Sequence, residues 1–269
     1  MDHLRRELAP LTDKAWDEVD AEAERTLRHL LAGRPLVGFT GPLGWQHNAH
    51  PLGRAHTLTP APAENVRAAR RLVQPLVEMR TTFEVPFEEI EAIDRGAPDP
   101  DLSAVVEAAR RAALAEDQTV FHGYKGADIV GITPSSPHTA LAISDNYDQY
   151  PGIVARAVDR LRTAGVGGPY AIALGPRCYT GVIEATERGG YPLLEHIKLI
   201  VGGPIVWAPA VDGAVVLSLR GGDYELICGQ DFSIGYAGES PASVELYIEE
   251  TMTFAVREGG AAIPLVHSA

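Results

Sequence analysis

Between Asp101 and Gly123 the sequence DLSAVVEAARRAALAEDQTVFHG sets Leu102, Val105, Val106, Ala109, Ala112, Ala113 and Val120 at three- and four-residue steps. That spacing predicts an α-helix, with Asp99 or Asp101 as its cap, Pro100 beside it and Gly123 as its stop signal. About 22 residues at 1.5 Å each make a rod of roughly 33 Å, the width of a small domain. The remaining elements must be laid out along it. Its alanines let neighbouring backbone come close, and Glu107, Arg110, Arg111, Glu116 and Asp117 are expected on a solvated side, as surface ion-pair partners.

A second amphipathic helix is predicted over Thr12 to Gly33, with the stripe Trp16, Val19, Ala23, Leu27, Leu30 and Leu31. Its acids lie early and Arg25, Arg28 and His29 late, as the helix dipole favours. Leu36 to Phe39 predicts a short strand, and GPLGWQHNAHPLG, Gly41 to Gly53, a loop. Residues 76 to 85 alternate, with Val77, Met79, Phe83 and Val85 on one side and Glu78, Arg80, Thr82 and Glu84 on the other. This is a two-faced strand, expected to pair with a strand at Arg54 to Leu58 as an extended β-arm. A short acidic helix follows at Phe87 to Arg95. Further on come a helix at Ile153 to Ala164, a buried strand at Tyr170 to Leu174, two helices around a glycine turn, and strands at Pro204 to Trp207 and Ala214 to Leu219. A long alternating strand from Val244 to Val256 closes the series, and Glu250 breaks its apolar phase. The class is α+β.

Composition narrows the chemistry. The 269 residues carry a net charge of −13, so a nucleic-acid partner, which needs a basic face, is not expected. No apolar run reaches the ~18 residues of a membrane span, and the expected location is the cytosol. Cys178 and Cys228 lack paired CxxC spacing, and His47 and His50 lack a matching thiol or carboxylate, so no metal site is expected. The phosphate-loop, dinucleotide, serine-hydrolase and zincin motifs do not occur. Glu116 and Asp117 point about 100° apart on a helix and cannot converge as a catalytic dyad. No catalytic residue is assigned, and no enzyme activity is expected.

Several segments in order, LAPLTDKAWDEVDAEA, GPLGWQHNAHPLG, RTTFEVPFEEIEAIDRG, AEDQTVFHG, GVGGPYAIAL, RGGDYELICGQDFSIGYA and YIEETMTFAV, resemble the shell proteins of encapsulin nanocompartments of the linocin-like family 1 type. The resemblance implies a tailed-bacteriophage major-capsid-like fold. Its parts would be residues 1–53 as N-terminal arm and helix of a peripheral domain, 54–86 as an extended loop reaching a neighbour, 87–132 as peripheral domain with the spine helix, 133–220 as an axial domain, and 221–269 as peripheral C-terminal strands. On the order of sixty copies would close as a hollow icosahedral homo-oligomer.

The same resemblance implies a partner: a cargo enzyme, such as a ferritin-like protein or a dye-decolorising peroxidase, held by its C-terminal targeting peptide. The pocket carried over by position is Leu27, Arg34, Val37, Gln230, Asp231, Phe232, Ile234 and Tyr236. A pore loop is implied at Glu187, Arg188, Gly189, Gly190, Tyr191 and Pro192. Val77, Met79, Phe83 and Val85 are expected as inter-subunit arm contacts. No cofactor is expected, because Glu88 stands where some members carry a flavin-stacking Trp. The alternatives are a phage or prophage coat and, more distantly, a secreted bacteriocin-like protease, which assembly size and gene neighbourhood would separate.

Overall fold

The computed structural model describes residues 3–186 and 190–267. In chain order it contains α1 (Asp13–Leu30), β1 (Gly38–Thr40), β2 (Ala49–Leu58), β3 (Ala68–Pro75), β4 (Val77–Pro86), α2 (Phe87–Arg95), α3 (Ser103–His122), β5 (Gly123–Tyr124), β6 (Ile129–Val130), α4 (Ile132–Ser135), β7 (Leu141–Ile143), α5 (Tyr150–Thr163), β8 (Tyr170–Leu174), α6 (Pro176–Glu184), α7 (Leu193–Val201), β9 (Ile205–Trp207), β10 (Ala214–Ser218), β11 (Tyr224–Cys228), β12 (Ser233–Glu239), β13 (Ser243–Val256) and β14 (Ala262–His267).

The long helix forms as its periodicity requires. Asp101 accepts a hydrogen bond from the Ser103 N–H at 2.9 Å, and Gly123 ends the helix at φ 83°. The Thr12 hydroxyl accepts from the Ala15 N–H and so caps α1. Helices α1 and α3 pack together over β4, β12 and the first half of β13, burying Val19, Ala23, Val105, Ala109, Phe83, Val85, Leu246 and Ile248 in a first core. A second core gathers Val120 and Phe121 from the end of α3 with α5, α6, α7 and the strands β7, β8, β10 and β14.

Two sheets organise these cores. In the first, β13 pairs antiparallel with β4 on one edge, Leu246 opposite Phe83 and Met252 opposite Val77. Its other edge takes β12 along the first half and β11 along the second, and β1 adds parallel to β11. The second sheet has the order β7-β14-β10-β8-β9. Strands β2 and β3 form a separate two-stranded arm with His56 opposite Arg70 and Ala55 opposite Arg71.

Four expectations are corrected. Residues 77–86 are not half of the arm; they are the edge partner of β13, and β2 finds its partner in β3 instead. Phe83 and Val85 are therefore buried in this chain's own core rather than presented to a neighbour, and Val77 and Met79 pack half-buried against it. Residues 49–53, read as loop, begin strand β2. The C-terminal segment does not stay with the first sheet, because β14 crosses to lie between β7 and β10 of the second.

Candidate functional site

Helix α3 passes from one core to the other, and the turn between them carries Glu116 and Asp117. Both are fully buried, which corrects their expected place on a solvated face. On β13 the same seam falls at Glu250, between Ile248 of the first core and Met252 of the second; it too is fully buried. The residue that broke the alternation of this strand is thus the one facing the seam. Buried carboxylates need partners, and the segment after α1 supplies them.

Asp117 accepts from the backbone N–H groups of Ala32 at 2.9 Å and Gly33 at 2.8 Å. A Cβ on Gly33 would lie 3.0 Å from the Asp117 carboxylate and from Val120, which explains a glycine at a position whose φ of −71° does not need one. Burial outweighs those two hydrogen bonds and pushes the Asp117 carboxyl up to about 7.

One residue further on, Arg34 binds three acids at once. Its Nη2 donates to Glu116 at 2.7 Å, Asp231 at 2.8 Å and Glu250 at 3.0 Å, and its Nε donates to Glu116 at 2.9 Å. The rings of Phe39 and Phe232 lie 5.1 and 5.0 Å from the guanidinium. Burial alone would lower the Arg34 pKa, but the hydrogen bonds to Glu116 and Asp231 outweigh it and hold the group above its ordinary value. Burial, and then the neighbouring Glu116 carboxylate, push Glu250 well above the ordinary carboxylate range. The Cys228 Sγ and carboxylate oxygens of Asp231 and Glu250 lie within 4.8 Å of one another. Arg34 already engages those two carboxylates, and burial pushes the Cys228 thiol up, so the cluster is an ion-pair network and a poor cation site.

Above this network a groove of about 500 Å³ runs between α1 and β12. Leu4, Ala23, Leu27, Leu31, Phe232 and Ile234 give it apolar walls, and Arg6, Asp20, Glu24, Arg28, Arg34 and Asp231 provide polar points. The stretch before α1 forms one rim: the Tyr236 N–H donates to the Leu4 carbonyl at 2.8 Å, and Arg6 binds both oxygens of Asp20. Of the eight residues expected in a peptide pocket, Leu27, Arg34, Asp231, Phe232 and Ile234 come together here. Three do not line it. Val37 turns toward the second core, Gln230 donates from Nε2 to Ser233 at 2.6 Å, and Tyr236 packs half-buried against the first core. Sequence reasoning missed Ala23 and Leu31, although both lie four residues from Leu27 on the same helical stripe. It missed Leu4 and Arg6 because they reach the groove only through pairing with β12.

In the glycine turn, Glu187, Arg188 and Gly189 lie outside the described residues. Gly190 has φ 81°, Tyr191 is exposed, and Pro192 bridges back to Thr186 just before α7. Glu88 is exposed on α2. Among the described residues no helix is long and apolar enough to cross a membrane.

Residues 1–253 match the family model described as an encapsulating protein for peroxidase. A type 1 encapsulin shell protein of Rhodospirillum rubrum is 46% identical over 98% of this chain and 96% of its own length. Among solved structures, the virus-like particle of Pyrococcus furiosus aligns with a TM-score of 0.63 at 17% identity, over 93% of this chain and 97% of that one. The capsid of Myoviridae phage XM1 aligns at 0.53 with 10% identity, over 88% and 90%. The fold is that of capsid-forming chains.

Proposed function

Because this chain belongs to the family of encapsulating proteins and is a shell protein of the type 1 encapsulin kind, we propose that its copies enclose a cargo enzyme whose C-terminal peptide docks in the groove between α1 and β12. The observation that carries the reading is the groove itself. Leu27, Phe232 and Ile234 offer apolar pockets, while Arg34 and Asp231 mark one end with charge. An extended or helical peptide with two or three apolar anchors and a polar group fits such a lining. A ferritin-like enzyme or a dye-decolorising peroxidase is the cargo class proposed from the family likeness.

The shell is proposed to hold on the order of sixty subunits in the cytoplasm, without cofactor and without catalytic activity of its own. Small substrates are proposed to pass at the pore loop expected at residues 187–192, where Gly189 and Gly190 carry no side chain. The 46% identity to a shell protein, against 10% to a phage coat, favours this reading over a coat protein.

The test is Phe232→Asp, co-expressed with the cargo gene. Phe232 lines the groove half-buried, and a carboxylate there repels an apolar anchor. Shells of normal size that leave the cargo behind are expected; normal loading would overturn the pocket.

A further inference from the structure

The stretch before α1 is held differently from the rest of the chain. Leu4 is 8% exposed yet belongs to neither core; it lines the groove with Leu27, Ile234 and Ile248. Around it Arg5, Glu7 and Leu8 are exposed. Arg5 sits at φ 53°, in the left-handed region that a residue with a side chain rarely occupies. A backbone hydrogen bond, from the Tyr236 N–H to the Leu4 carbonyl at 2.8 Å, ties the stretch to the outer edge of β12. Residues of an edge strand turn their N–H and C=O groups alternately to the paired and the open side. With Tyr236 turned outward, Ile234 is turned outward as well, and its carbonyl accepts from Arg6 Nη1 at 3.4 Å.

The other ties can part without stranding a buried charge. His3 stacks on Trp45 at 4.0 Å with its Nε2 3.0 Å from Glu249 Oε1, but Arg80 also binds Glu249, at 2.7 Å. Arg6 lies 3.9 Å over the Trp16 ring and pairs with Asp20, whose side chain is 43% exposed and open to water. What release costs is the burial of Leu4 and the partner of the Tyr236 N–H. An extended peptide with a branched apolar side chain restores both.

We propose that residues 3–9 are a displaceable strap that fills the end of the groove nearest Asp20 while no peptide is bound. The cargo's C-terminal peptide then takes its place on the edge of β12 as an added strand, with an apolar anchor in the Leu4 site. Leu4 is thus an internal stand-in for the peptide rather than a fixed wall. The apparent affinity for cargo is lowered by the fraction of copies in which the strap is closed. The inference rests on the groove reading above.

Subunits of wild type, Leu4→Ala and a variant lacking residues 2–9 are reassembled with increasing concentrations of a fluorescein-labelled peptide. The peptide carries the C-terminal sequence of the enzyme that copurifies with the shell, and bound peptide per subunit is measured. Leu4 lies outside both cores, so circular dichroism of Leu4→Ala should match wild type. Both variants are expected to bind about tenfold more tightly, the gain when an open fraction of about one in ten becomes complete. Hydrogen exchange read by mass spectrometry supplies a second sign. Peptide binding to wild type should speed exchange in residues 3–9 and leave the Tyr236 amide protected. Equal or weaker binding by Leu4→Ala, or slower exchange in residues 3–9 of wild type with peptide, would make Leu4 a fixed wall. Either result overturns the strap and leaves the groove reading intact. A peptide that binds none of the three proteins would sink the groove reading and the strap with it.

Discussion

Replacing Arg34 with Met keeps most of the aliphatic stem and removes the cation that holds the seam between the two cores. Glu116 and Glu250 have side chains with no exposure, and Arg34 retains 22%. Breaking a buried ion pair from one side costs about 3–5 kcal/mol, because the remaining charge is left in a poorly polarisable setting. In a chain of this size each kcal/mol moves the melting temperature by about 2–4 °C, so a fall on the order of 10 °C is expected. The sign of its pH dependence follows from Glu250. Its folded pKa lies above the unfolded value, so protonation favours the folded state, and the penalty grows as pH rises. Without Arg34, which lowers the Glu250 pKa, Glu250 holds its proton more tightly still. The deficit should be full at pH 8 and shrink toward pH 5. Differential scanning fluorimetry at matched concentration and scan rate reads both effects. A fall below about 3 °C at pH 8, or an equal fall at pH 5 and pH 8, would refute the reasoning.

Asp117 gives a related test. A rise from 3.8 to about 7 makes its contribution complete below about pH 4 and lost as pH climbs through about 7, worth about 4 kcal/mol in all. Wild type should therefore lose stability relative to D117N between pH 5 and pH 8, and a constant difference across that range would contradict it. Phe83→Asp places a charge in the core of α1 and α3, where Phe83 is 7% exposed. It should leave aggregated chain at a cost of about 3–5 kcal/mol, and a folded, soluble, unassembled monomer on size exclusion would argue against its core role.

Local pattern made the helices and β13 readable: α1 and α3 each bury one stripe, and β13 sets apolar residues at the even positions from Val244 to Val256 except Glu250. What local pattern does not contain is which strand pairs with which. β4 reads as half of a hairpin because its alternation is clean, yet its partner lies more than 150 residues away. β14 escaped notice because Ala262 to Leu265 are buried without alternation, and β7 because it is three residues long. Glu116 and Asp117 were assigned to solvent, the ordinary place for charge on a helix. Their partners, Ala32, Gly33 and Arg34, are more than 80 residues away and give no local sign of the contact. In the groove, the apolar and charged anchors were legible, but the rim at Leu4 and Arg6 depends on a strand-edge hydrogen bond between distant segments.

The position of β14 between β7 and β10 also orders events in time. The second sheet cannot close until a ribosome has passed His267 and released it from the exit tunnel, because Leu265 must pair with Ala214 on one side and Leu141 on the other. The first core, from α1, α2, α3 and β4, contains nothing later than β13 and can settle earlier. A nascent chain thus carries a finished docking half beside an unfinished half, and only one synthesised through β14 presents a complete building block.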